Sequence, residues 1–333
     1  TAVGPLVFVR PEEAGTGLSA VKYLAKVGSL SGVVLLFWQV LLGFRGMLAK
    51  LIPDYIWVIG VHKTIGAWLL PMILLHPVFI TVYYLMAFER NVLLLEGPAS
   101  FRWYVLCGVF AIGVIAVVVL TSVFLRDTLS QRTWYLIHLS SYVVLPVVFI
   151  HSFPIGMTVN DSALGVIWIC LVFVLAGMYL FRVLARFGVF SAEYRVSATE
   201  RLASDVTRIR MSPTDTALAP GCSQFAFFRR GLWASARPFT ISGFDADTGE
   251  MAITVRAVGR VSTGLQNVRP GEPMYVDGPY GVFGIDALEG RRPIVMIAGG
   301  IGITAFKRMT ERLAREPERE AHLFYGSRRA DQI

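Results

Sequence analysis

The sequence predicts a multidomain α and β protein: a transmembrane helical bundle, then an antiparallel β-barrel, then an incomplete α/β nucleotide-binding domain. Three observations predict it. Five apolar runs before Phe190 are long enough to cross a bilayer, the stretch 192–287 alternates with period two, and 291–333 reads strand, glycine turn, helix, strand. Composition agrees: the 333 residues are 55% hydrophobic and 16% charged, with a mean hydropathy of +0.59. Those values are too apolar for a soluble globule and point to an integral membrane protein.

The spans are expected at Val27–Phe44, Ile56–Phe88, Trp103–Leu125, Trp134–Phe153 and Ala163–Phe181, making 27–187 the membrane domain. Residues 1–26 read as an external segment at the tail of an earlier span, and both ends of the chain are expected to be incomplete. Arg45, Lys50 and Lys63 flank the first loop, Arg126 and Arg132 the third, and Arg182 and Arg186 follow the last span. The loop Ser152–Ser162 has no Lys or Arg. By the positive-inside rule, the C-terminal half is cytoplasmic. The net charge of +8 is read as topology and anion-site residues, because no basic stripe with interleaved aromatics marks a nucleic-acid surface. Cys107, Cys170 and Cys222 are too scattered for a disulfide framework, a zinc site or an iron–sulfur cluster.

Four of the five histidines lie in two of these spans: His62 and His76 in the second, His138 and His151 in the fourth. Each pair is separated by about 20 Å of helix axis. A single imidazole in an apolar helix is ordinarily hydrogen-bonded to a neighbour, but ionisable side chains in a membrane are costly and mark function. Two matched pairs point to axial ligation of two stacked haems, His62 with His138 toward the cytoplasm and His76 with His151 toward the outside. The thirteen steps from His138 to His151 are one short of the fourteen from His62 to His76. A bend at Pro146 is the expected compensation. Trp68 and Tyr142 are candidates to sit between the haems, against the commoner role of packing. Arg90 and Arg102 are candidates to attract an anionic acceptor, against the commoner role of interface anchoring.

Six short strands follow: Glu193–Thr199, Val206–Met211, Gln224–Phe228, Phe239–Ser242, Met251–Val258 and Pro273–Asp277, a pattern for a small antiparallel barrel at 192–287. Arg237, Pro238, Phe239, Thr240, Arg256, Ser262 and Thr263 supply cations and hydroxyls at strand ends, which suits a pyrophosphate and equally suits a solvated barrel surface. The βαβ stretch starts with Ile294–Ile297, read as a buried parallel strand. The turn Gly299, Gly300, Gly302, Thr304 leads into a helix to about Arg315, and Leu323–Tyr325 ends in Ser327 and Arg328. A glycine turn at a helix start admits a phosphate, and a cationic cluster after the next strand reads a ribose 2′-phosphate, favouring NADPH over NADH.

Together the two histidine pairs, Arg237–Thr240, the Asp277-Gly278-Pro279-Tyr280-Gly281 turn and the Gly299–Gly302 turn resemble the membrane NADPH oxidase and ferric reductase superfamily. The resemblance covers nearly the whole chain. It implies a haem domain fused to a ferredoxin-reductase-like dehydrogenase, with Arg237, Phe239, Thr240, Arg256, Ser262 and Thr263 contacting FAD. It implies Gly299, Gly300, Gly302, Thr304, Ser327 and Arg328 at NADPH. Electrons would pass from NADPH through FAD and two haems to an external acceptor, with oxygen giving superoxide as the leading expectation. A ferric-chelate reductase, and an electron relay to quinone or a periplasmic partner, are the alternatives. Arg237 stands where the eukaryotic oxidases usually have His, and Ala305 where proline is frequent. The short external loops resemble a compact bacterial member, placing the chain in an inner membrane with its FAD/NADPH part in the cytoplasm.

Overall fold

The computed structural model describes residues 1–9, 16–94, 98–231, 234–290 and 292–327. Among them are five helices long and apolar enough to span a membrane: α1 (Gly17–Gly43), α2 (Tyr55–Phe88), α3 (Ala99–Val123), α4 (Gln131–Ile155) and α5 (Leu164–Arg186). The chain is an integral membrane protein. α1 starts ten residues before the span expected from hydropathy. Lys22 and Lys26 depress the average there, but helical pattern continues through them, and Lys22 lies over the Tyr83 ring. Part of the segment read as external is thus the first turns of a spanning helix.

The chain divides into two compact units. The first comprises Thr1–Leu48 and Trp57–Tyr179. Its core joins Leu36, Val40, Phe44, Leu145, Phe149 and Trp168, while large apolar side chains such as Phe110 and Phe173 point outward. An apolar exterior around an apolar core is what a lipid-facing bundle requires. Trp68 is 71% exposed. Tyr142 packs edge-on against Phe44.

α4 is interrupted at Ser140, between Gln131–Leu139 and Ser141–Ile155. The break falls two residues after His138, and Ser140 itself keeps helical backbone angles, φ −61° and ψ −21°. Pro146 lies inside the second segment. Lacking an N–H, it leaves the carbonyl of residue i−4, Tyr142, without its helical donor. The Tyr179 hydroxyl, from α5, donates to that carbonyl at 2.5 Å.

The second unit comprises Ala49–Ile56 and Leu180–Ile333. The segment Ala49–Ile56, read from sequence as a bundle loop, packs with the barrel: Lys50 lies 3.7 Å from Asp277, and the Tyr55 ring meets Phe225 and Phe227. The barrel is closed, with β1 (Ala192–Ala203), β2 (Val206–Pro213), β3 (Phe225–Arg229), β4 (Arg237–Phe244), β5 (Met251–Arg256) and β6 (Pro273–Tyr280) in the order β1-β2-β5-β4-β3-β6. Inward residues Tyr194, Ile209, Met211, Ile241, Ile253 and Met274 are fully buried, as alternation requires. The Asp277–Gly281 stretch, read as a turn, continues β6 as far as Tyr280. A register shift between Phe225 and Phe227 on β3 accommodates it. Arg229 donates to the carbonyls of Ala185 and Arg186, capping the last turn of α5. Burial, with Arg186 nearby, holds its guanidinium below the ordinary arginine range.

After the short helices α6 (Arg260–Leu265) and α7 (Ile285–Glu289), β7 (Ile294–Gly299) pairs in parallel with β8 (Ala321–Gly326) through α8 (Thr304–Leu313). Parallel neighbours need such a crossover. α8 buries Met309 and Leu313 against Ile294 and Met296. Among the described residues Val295 and Ile297, on the other face of β7, are exposed.

Candidate functional site

Two constellations hold the residues singled out from sequence. In the membrane unit, the His62 and His138 ring centres lie 6.0 Å apart, and those of His76 and His151 6.2 Å apart. Two imidazole nitrogens bound at ~2 Å to opposite sides of one iron place their ring centres about 6 Å apart. Both pairs meet that spacing.

The surroundings set which nitrogen is available. His151 Nδ1 lies 2.7 Å from the Tyr104 carbonyl, and His76 Nδ1 lies 3.3 Å from the Ala25 carbonyl. A carbonyl can only accept, so each ring carries its proton on Nδ1 and its lone pair on Nε2. That is the tautomer a metal needs. His138 Nδ1 lies 3.3 Å from Ser122 Oγ, a hydroxyl from α3, and the Trp134 ring stacks on His138 at 4.9 Å. The Gln39 amide, in an otherwise aliphatic and aromatic run of α1, lies 3.1 Å from His62 Nε2. Binding of a metal at that nitrogen requires the amide to move.

Close helix approach builds the second pair. α1 makes a π-turn over Val27–Ser31, a local widening often found at functional positions. A Cβ at Gly28 would lie 2.4 Å from the backbone nitrogen of His76. On α3, a Cβ at Gly108 would lie 2.7 Å from His151 Cε1. Only glycine fits at either position without displacement. Gln39, Ser122, Trp134, Gly28 and Gly108 were not singled out from sequence. For Gln39 a signal existed, since it is the one amide between Val33 and Leu42; for the glycines, nothing local distinguishes them.

In the second unit, the pairing of Ile241 with Ile253 sets the start of β4 beside the end of β5. Arg237, Pro238, Phe239 and Thr240 therefore share one barrel rim with Arg256. Arg237 and Pro238 are exposed, and the Phe239 ring packs on Phe228. Arg256 Nε donates to Asp205 Oδ2 at 2.7 Å, and its Nη1 lies 3.5 Å from the position a Cβ on Gly300 would take. The structure thus brings the barrel arginine alongside the glycine turn, where Gly300 has a φ of +48°. Asp205 was missed, although the pairing of Val206 with Arg256 makes it the neighbour that fixes this guanidinium. Ser262 Oγ is committed to its own loop: it accepts from the N–H groups of Val258 and Gly259 at 3.0 Å and donates to the Gly259 carbonyl. It orders the start of α6 and does not offer a free hydroxyl, while Thr263 is exposed. Gly299 and Gly302 are exposed, Thr304 donates its hydroxyl to the Ile301 carbonyl at 2.9 Å, and Ser327 follows β8. Arg328 lies outside the described residues.

Residues 28–149 match the family described as ferric reductase like transmembrane component. A flavohemoprotein of Candida norvegensis is 26% identical over 147 residues, covering 41% of this chain and 37% of that protein. The chain therefore spans little more than a third of the length of that relative. Among solved structures, the ferredoxin reductase in carbazole 1,9a-dioxygenase is similar over 43% of this chain and 44% of its own, at 22% identity and a TM-score of 0.38. The flavohem-like FAD/NAD binding domain of nitric oxide dioxygenase from Vibrio cholerae O1 biovar El Tor is similar over 42% of this chain and 64% of its own, at 21% identity and a TM-score of 0.37.

Proposed function

We propose, from the premise that residues 28–149 are a ferric-reductase-like transmembrane component, that this chain is a transmembrane oxidoreductase. It carries electrons from cytoplasmic NADPH through FAD and two b-type haems to an acceptor across the membrane, oxygen being reduced to superoxide. The observation that carries the reading is the pairing of four intramembrane histidines at 6.0 and 6.2 Å. Three of them have Nδ1 beside an oxygen.

The bound groups supply the division of a hydride's two electrons into single-electron transfers. The chain supplies placement. His62 and His138 hold one haem, His76 and His151 the other, and the apolar bundle excludes water from both. Gly28 and Gly108 let α1 and α3 close on the second pair. Arg256, braced by Asp205, presents a cation at the rim formed by Arg237–Thr240, where the FAD pyrophosphate would be held. Gly299, Gly300, Gly302, Thr304 and Ser327 would form the NADPH side, with the backbone of the glycine turn open to a phosphate. His76 and His151 would both be committed to holding the group, so the acceptor would be met at the edge of that site.

Reduction of a ferric chelate is the second reading, and the description of the matching family favours it. Anaerobic reduction of the full chain by NADPH and FAD, followed by mixing with oxygen or with ferric chelate, separates the two. Rapid reoxidation by oxygen with superoxide release is the expected result. Reoxidation by ferric chelate alone selects the reductase, and reoxidation by neither contradicts both.

A further inference from the structure

We propose that Ser122 and Trp134 are positioning residues that set the electron-donating strength of His138, so that one histidine pair is tuned by side chains and the other by backbone. The inference rests on the haem reading above. Ser122 and its neighbour Thr121 behave differently on the same helix. Thr121 turns its hydroxyl back to the carbonyls of Val117 and Val118, at 2.7 and 3.1 Å, as hydroxyls in apolar helices ordinarily do. Ser122 Oγ instead lies 3.3 Å from His138 Nδ1 and 3.2 Å from Trp134 Nε1.

An indole N–H can only donate, so Trp134 occupies one lone pair of Ser122 Oγ. The second lone pair can accept from His138 Nδ1–H, and on the haem reading it must, because that is the arrangement that leaves Nε2 unprotonated. A ring protonated at Nδ1 keeps its Nε2 lone pair for a metal. Trp134 stands four residues before His138 on α4, and its ring stacks on the imidazole with an interplanar angle of 28°. The Arg126 guanidinium lies 4.5 Å from the centre of the same indole and is tied to Gln131. The indole therefore fixes both the hydroxyl that holds Nδ1 and the plane of the ring itself.

The other pair has no equivalent. His76 and His151 present Nδ1 to the main-chain carbonyls of Ala25 and Tyr104, which no substitution removes. Hydrogen bonding at Nδ1 raises the basicity of the coordinating nitrogen and favours the more oxidised metal. Removing the Ser122 hydroxyl should raise the reduction potential of the His62–His138 haem and leave its counterpart unchanged.

The test is a spectroscopic redox titration of the full chain, resolved into two haem components, for wild type, Ser122→Ala, Ser122→Thr and Trp134→Phe. The component that His138→Ala removes should move to higher potential in Ser122→Ala and return in Ser122→Thr. It should move in the same direction in Trp134→Phe, which keeps an aromatic ring but loses the N–H. Haem affinity at that site should fall about 10–100-fold in Ser122→Ala. Should Ser122→Ala not fold, the Trp134→Phe titration decides alone. Equal movement of both components, movement of neither, or failure of Ser122→Thr to restore the first would overturn the proposal. Absence of haem from the wild type would overturn the functional reading with it, whereas two haems unmoved by Ser122→Ala would overturn this inference alone.

Discussion

At the scale of single residues, the second histidine pair depends on two missing side chains as much as on its imidazoles. Gly108 and Gly28 have no room for a methyl group, which would lie 2.7 Å from the His151 ring and 2.4 Å from the His76 backbone. Gly108→Ala is expected to push the His151 ring away from its partner and lower the haem content of the chain toward half, with the His62–His138 haem retained. Haem counted per chain, with the surviving component identified by its potential, checks this; an unchanged count in Gly108→Ala and Gly28→Ala would contradict it. The histidines themselves were legible in the sequence, because a titratable residue stands out in an apolar run. The glycines were not, because glycine in a membrane helix is common and the ring it admits comes from another helix. Ser122 and Asp205 were hidden for the same reason: each acts on a residue distant in sequence.

At the scale of elements, Tyr179 and Pro146 form a compensating pair. The proline removes the donor for the Tyr142 carbonyl, and the hydroxyl from α5 replaces it at 2.5 Å. Tyr179→Phe should cost about 1–3 kcal/mol of bundle stability, the penalty for leaving a buried acceptor unmade. In a Pro146→Ala background, where the helical N–H is restored, the same change should cost much less. Thermal unfolding of the four variants in one detergent gives the coupling, and equal costs in both backgrounds would contradict the pairing. In the barrel, Asp245 accepts from the N–H groups of Asp247 and Thr248, which hold its carboxyl below the ordinary aspartate range. A depressed carboxyl stabilises the fold above its unfolded pKa and loses that contribution as pH falls through the folded one. Asp245→Asn should therefore lower stability at neutral pH, and the gap to wild type should close in acid. Melting temperature against pH checks it; a gap that widens in acid would contradict the sign.

The same elements show what sequence pattern can and cannot supply. All six barrel strands fall where period-two alternation places them, since closure buries one face of each. β6, however, passes through Gly278–Pro279. Turn-forming residues are local signals, whereas continuation of a strand depends on its neighbours.

At the scale of the whole molecule, two haems in one bundle would each be held by one residue of α2 and one of α4. The two-unit division assigns Ala49–Ile56, which leads into α2, and Leu180–Arg186, which ends α5, to the barrel unit. The bundle is thus joined to the barrel unit at more than one point along the chain. The most direct test of the central claim is the haem count and reduced-minus-oxidised spectrum of the full chain alongside His138→Ala and His151→Ala. The account predicts two b-type components in the wild type, loss of one in each variant, and loss of different components in the two. A wild type without haem, or loss of the same component in both variants, would contradict it.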